Sequence, residues 1–172
     1  MQTHLVLTVI GRDRPGLVNA VSEAIATAGG NWLDSRMASL GGQFAGMLLV
    51  AVAPERSGDL IASLRGLEAQ GLSLAIATSD TQERVSGRTL NLDLIGLDRP
   101  GIVRDLSGVV AGHGVSITEF ESEQVSGSFS GEAMFKARVR LTLPDDLDIE
   151  VLRRSIEAIA HELMVDFSLD DD

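Results

Sequence analysis

Apolar and polar residues alternate from His4 to Ile10, with Leu5 and Leu7 on one side of an extended chain, and again from Thr89 to Ile95. A helical period follows each stretch: Leu17, Val21, Ala24 and Ala28 in the first case, Ile102, Leu106, Val109 and His113 in the second. Gly29 and Gly114 close these helices, because glycine accepts the left-handed conformation of a helix end. Two strand-like runs come next, Asn31 to Leu40 and Gln43 to Ala53, joined by Gly41-Gly42 in the manner of a tight hairpin. Their later counterparts are Val115 to Val125 and Phe129 to Thr142, joined at Ser126-Gly127. Second helices carry Leu60, Ile61, Leu64 and Leu67, then Ile149, Leu152, Ile156, Ile159 and Leu163. Short strands, Leu72 to Thr78 and Met164 to Leu169, end each series.

The predicted order is βαββαβ, twice, and the repetition is literal. Residues 10 to 18 read Ile-Gly-Arg-Asp-Arg-Pro-Gly-Leu-Val and residues 95 to 103 read Ile-Gly-Leu-Asp-Arg-Pro-Gly-Ile-Val, at an offset of 85. The same offset aligns Leu5 with Leu90, Ser22 with Ser107, Gly29 with Gly114, Gly42 with Gly127 and Phe44 with Phe129. A repeat of this length in two copies is a pair of small domains rather than a solenoid. The expected division is residues 1–80, a polar linker at 81–88, and residues 89–172. Each copy matches the split β-α-β unit of ferredoxin-like α+β folds, an antiparallel sheet of four strands with helices on one face. The open face and edge strands of such a sheet call for a partner, so a homo-oligomer is expected.

Composition narrows the function. The 172 residues are 44% hydrophobic and 23% charged, which suits a folded globular chain. A net charge of −11 argues against direct nucleic-acid binding, which needs a positive surface. Without cysteine there is no disulfide, thiolate nucleophile or Cys-based metal site, and a cytoplasmic location is expected. The longest apolar run, Phe44 to Ala53, is too short for a membrane span. No pairing of nucleophile and base is evident, and the two copies with their linker take up the chain, so no enzyme, catalytic residue, cofactor or metal is expected.

The repeated Gly-x-Asp-Arg-Pro-Gly, Gly11 to Gly16 and Gly96 to Gly101, lies between the first strand and first helix of each copy. Proline suits the opening of a helix, and Gly16 and Gly101 leave N–H groups pointing out of a positive helix end, where a carboxylate is favoured. Arg14 and Arg99 are candidates for the same carboxylate, and Asp13 and Asp98 for an ammonium. Those are the two ends of an α-amino acid. The plainer alternative has Asp13 capping its own helix with Arg14 in solvent.

This repeat, with Gly29-Gly30-Asn31 and Asp34-Ser35-Arg36-Met37 after the first helix, resembles the ACT domain, a small-molecule sensing module, across essentially the whole chain. The likeness is to stand-alone tandem members that repress transcription. It implies a sensor of glycine or a related amino acid that contacts a DNA-binding regulator and not DNA itself. A ligand-sensing subunit of a metabolic enzyme is the alternative. The resemblance selects Asp13, Arg14, Pro15 and Gly16 with Asn31, and Asp98, Arg99, Pro100 and Gly101 with Ser116, as ligand-binding residues. Ser116 in place of Asn31 and Val115 in place of Gly30 make the first set the stronger candidate.

Glu119, Glu121 and Glu123 alternate on one face of the second copy, an acidic strip expected to face solvent or a basic partner. The negative charge is concentrated there: residues 1–84 carry six Arg and eight acids (−2), residues 85–172 eight basic and seventeen acidic residues (−9). Trp32 is expected in core or interface beside the first loop.

Overall fold

The computed structural model describes residues 2–79, 87–127 and 131–171. The chain divides into two compact units, Met1–Glu83 and Arg84–Asp172. The first contains β1 (Thr3–Arg12), α1 (Leu17–Thr27), β2 (Asn31–Leu40), β3 (Gln43–Val52), α2 (Ser57–Gly66) and β4 (Leu72–Thr78). The second contains β5 (Arg88–Leu97), α3 (Ile102–Gly112), β6 (Ser116–Ser126), β7 (Ala133–Leu143), α4 (Ile149–Leu163) and β8 (Val165–Asp171). Their antiparallel sheets run β2-β3-β1-β4 and β6-β7-β5-β8, the ferredoxin-like order that the element sequence implies. Arg88, expected to end the linker, opens β5, and residues 80–86 lie outside the described residues.

Each unit has its own core, because alternation turns one sheet face toward the helices. Leu5, Leu7 and Val9 of β1 pack with Leu48, Val50 and Val52 of β3 under Leu17, Val21 and Ile25 of α1 and Leu60 and Leu64 of α2. Leu90, Leu92 and Leu94 meet Val139, Leu141, Ile102, Leu106, Leu152 and Ile156 in the second unit. The buried stripe of α1 is Leu17, Val21, Ile25 and Ala28: Ile25 takes the place given to Ala24, which is only half-buried. Val110 similarly replaces Val109 in α3.

The hairpin in the first unit is as expected, with Gly41 and Gly42 at φ 58° and 78°, the pair of positive angles that a two-residue turn between twisted strands requires. The second hairpin differs. β7 begins at Ala133 rather than Phe129, and Gly127 and Gly131 hydrogen bond within a longer connection, Gly131 N donating to Gly127 O at 3.0 Å. Phe129 itself lies outside the described residues. Register shows what replaces it: Phe44 stands opposite Gly11, and Phe135 stands opposite Gly96. Phe135, not Phe129, is therefore the counterpart of Phe44, and six residues enter the second copy at this hairpin.

Tracing that register also gives the acidic strip, which faces solvent as expected, its cross-strand partners. Glu119, Glu121 and Glu123 on β6 stand opposite Arg140, Arg138 and Lys136 on β7. Glu119 meets Arg140 at 3.3 Å, Glu123 meets Lys136 at 3.6 Å, and Arg138 reaches Asp93 of β5 at 3.3 Å. The strip is half of a cross-strand charge ladder. The acidic residues Asp170 and Asp171 belong to β8, and Arg88 holds the Asp171 carboxylate with Nε–Oδ1 at 2.9 Å and Nη2–Oδ2 at 2.8 Å.

Candidate functional site

The two Asp-Arg-Pro-Gly loops share one backbone design. Gly16 and Gly101, at φ 91° and 97°, are the N-caps of α1 and α3. A Cβ on Gly16 would meet nothing within 4 Å, so the left-handed angle, rather than space, demands glycine there. Pro15 and Pro100 therefore stand one residue before the cap, setting the turn into the helix, and do not occupy the first helical position expected for them. Gly11 and Gly96 serve another purpose. A Cβ on Gly11 would lie 2.8 Å from Leu72 Cδ2 and 2.9 Å from Gly71 O, and one on Gly96 would lie 2.8 Å from Val165 Cα. Both loops are tied to the neighbouring hairpin through their backbone, Asp13 N donating to Gly42 O at 3.0 Å and Asp98 N to Ala133 O at 2.9 Å.

Neither α1 nor α3 has a side-chain cap. This removes the reading in which Asp13 satisfies the amides of its own helix. α4, by contrast, is capped by Asp148, which accepts from Glu150 N at 3.0 Å. The first-turn amides of α1 are left facing outward at the positive end of the helix, with the four loop residues exposed beside them.

Side chains distinguish the loops. Arg14 Nη2 donates to Gln70 O at 3.0 Å, while the carboxylate of Asp13 has no polar partner among the described residues. In the second loop Gln124 Nε2 donates to Asp98 Oδ2 at 2.5 Å, and Arg99 lies 3.9 Å from Asp105, which also pairs with Arg104 at 2.7 Å. Spacing along the sequence gave no sign of Gln124, since it is 26 residues from Asp98 and only sheet register brings them together.

Asn31 and Ser116 do not join their loops within a unit. Asn31 pairs with Ala51, which pairs with His4, so it stands level with the start of β1, whereas the loop follows Arg12 at the far end. Ser116 is likewise level with Thr89 at the start of β5. Nine residue steps, about 30 Å at ~3.3 Å each, separate them from Asp13 and Asp98. Trp32 belongs to that same distant end, level with Leu5, and is partly buried against the core, so it is not beside the loop. Among the described residues no group of three or more acidic or histidine side chains is placed to hold a metal ion, and no helix is long and apolar enough to cross a membrane.

Two copies of a ferredoxin-like unit, each opening its first helix on an uncapped Asp-Arg-Pro-Gly loop, define a tandem ferredoxin-like α+β protein. Residues 3–77 and 88–170 both match the ACT domain family, and the chain belongs to it. It is 26% identical to the glycine cleavage system transcriptional repressor of Escherichia coli (strain K12), over 94% of this chain and 86% of that protein. The repressor of the same name from Shigella flexneri matches equally. The crystal structure of an unknown protein from Galdieria sulphuraria superimposes with a TM-score of 0.89 at 27% identity, covering 100% of this chain and 99% of the other.

Proposed function

We propose that this chain is an amino-acid-sensing regulator: a small amino acid, glycine or a close relative, binds at loop Asp13–Gly16, and the bound state is read by a protein partner that regulates transcription. The observation that carries the reading is the uncapped start of α1 beside a carboxylate without a partner. The outward amides receive the ligand carboxylate and Asp13 receives its ammonium. Likeness to a named transcriptional repressor over nearly the whole chain supports the regulatory role. A net charge of −11 favours a protein partner over DNA.

A ligand of about five non-hydrogen atoms gains at most ~7.5 kcal/mol, so its Kd is about 3 μM or weaker. Calorimetric titration must therefore extend to millimolar glycine, L-serine and L-alanine. Heat lost in Asp13→Ala supports the reading, and no heat with any of the three overturns it. Capture of partners from cell extract, with and without the amino acid that binds, tests the second half. A transcriptional regulator retained in a ligand-dependent way supports it, whereas retention of a metabolic enzyme alone replaces it with the enzyme-subunit reading.

A further inference from the structure

The two loops carry the same four residues, and each arginine has a partner within the protein, Gln70 O for Arg14 and Asp105 for Arg99, yet only in the second loop is the aspartate carboxylate also engaged. Gln124 and Ser39 hold equivalent places in the two sheets, Gln124 opposite Phe135 and Ser39 opposite Phe44, with each phenylalanine opposite the motif's first glycine. The long Gln124 side chain reaches Asp98, as described, and a serine at this place is too short to do the same for Asp13. The helices differ in the same sense. α3 carries Asp105 in its first turn, half-buried and 3.9 Å from Arg99, whereas Ala20 holds that place in α1, which has no acid in its first turn.

The chemistry of these two additions is that of the proposed ligand. An amide N–H donor on the Asp98 carboxylate stands where an ammonium would sit, and a carboxylate beside Arg99 and the positive end of α3 stands where the ligand's carboxylate would sit. We infer that Gln124 and Asp105 together occupy the second loop as an internal substitute for an amino acid, so that the chain binds one ligand, at loop Asp13–Gly16, and not two. The inference rests on the proposed sensing function. It adds two residues that determine where the ligand binds and an explanation of why a duplicated motif gives a single site.

Two exposed contacts of this kind set the second loop's affinity about tenfold below the first's, so stoichiometry is read over the ligand range in which the first loop saturates. Titration of the full chain with glycine, L-serine and L-alanine is expected to give one site per chain, lost in Asp13→Ala. Giving the second loop the residues of the first, by Gln124→Ser with Asp105→Ala, is expected to raise the stoichiometry to two. In that background Asp13→Ala leaves one site and Asp98→Ala also leaves one. A nuclear magnetic resonance spectrum of the wild-type chain reads the contact without ligand: the Gln124 side-chain amide protons are expected to move on Asp98→Ala. Two equal sites in the wild type, or a stoichiometry still at one in the double variant, overturns the inference while sensing at the first loop stands. An unmoved Gln124 amide overturns it as well. No heat in the wild type or in the double variant overturns the sensing function and this inference with it.

Discussion

Gly96→Ala isolates the structural half of the repeated motif from the half that binds. The alanine methyl would stand 2.8 Å from both Cα and Cβ of Val165 and in contact with its Cγ1. Carbon atoms rest at about 3.5–4.0 Å, so β5 and β8 must part by roughly 0.7 Å or more at this rung. Rotating Val165 does not relieve the clash with Cα, and Gly96 pairs directly with Val165 in the ladder. No left-handed φ is involved, so the cost is steric, about 3 kcal/mol, at the upper end for an overfilled site. For a domain of this size that lowers the melting temperature of the second unit by about 12–24 °C. Gly108→Ala is the control in the same unit. Nothing lies within 4 Å of its added methyl, it sits within α3, and the substitution is expected to stabilise by about 0.5–1 kcal/mol. Urea unfolding followed by far-ultraviolet circular dichroism measures both. A Gly96→Ala midpoint within ~0.3 M of the wild type, at unchanged m, would refute the steric argument and return this glycine to the binding chemistry.

Gly16→Ala places a side chain at φ 91° with no neighbour to strike, so a loss of about 1–2 kcal/mol is expected, with Gly16→Asn recovering part of it; thermal melts compare the two. Met164 is the single non-glycine residue at positive φ among the described residues, at 53°, and is 70% exposed, so Met164→Gly is expected to stabilise by about 0.5–1 kcal/mol in a urea titration. Arg138→Glu sets a like charge opposite Glu121 and beside Asp93, and is expected to cost about 0.5–1 kcal/mol in dilute buffer. In 1 M salt, where the screening length falls to about 3 Å, at least half of that loss should disappear.

What the sequence disclosed, and what it withheld, follows from which features are local. The turn at Gly41-Gly42, the left-handed Gly29 and Gly114 at φ 71° and 70°, and the alternation of β1 and β5 are each decided within a few residues, and the chain states them directly. The second hairpin failed because a constant offset was carried past the point where the copies diverge. A better signal was available in the alternation of Lys136, Arg138 and Arg140 with Ala137, Val139 and Leu141, which marks a strand and pairs it with Glu119, Glu121 and Glu123. The separation of Asn31 from Asp13 within its own unit has a related reason. In a β-α-β crossover the helix returns the chain to its starting end, so β1 and β2 run parallel on either side of β3 and the start of β2 cannot lie at the end of β1. The uncapped helix starts and the reach of Gln124 to Asp98 were not legible at all. A capping aspartate and a ligand-binding one are the same residue in the same place, and only the direction of the side chain separates them. That separation is what gives two copies of one motif different surroundings: the Asp13 carboxylate is open at the surface, and the Asp98 carboxylate accepts from Gln124.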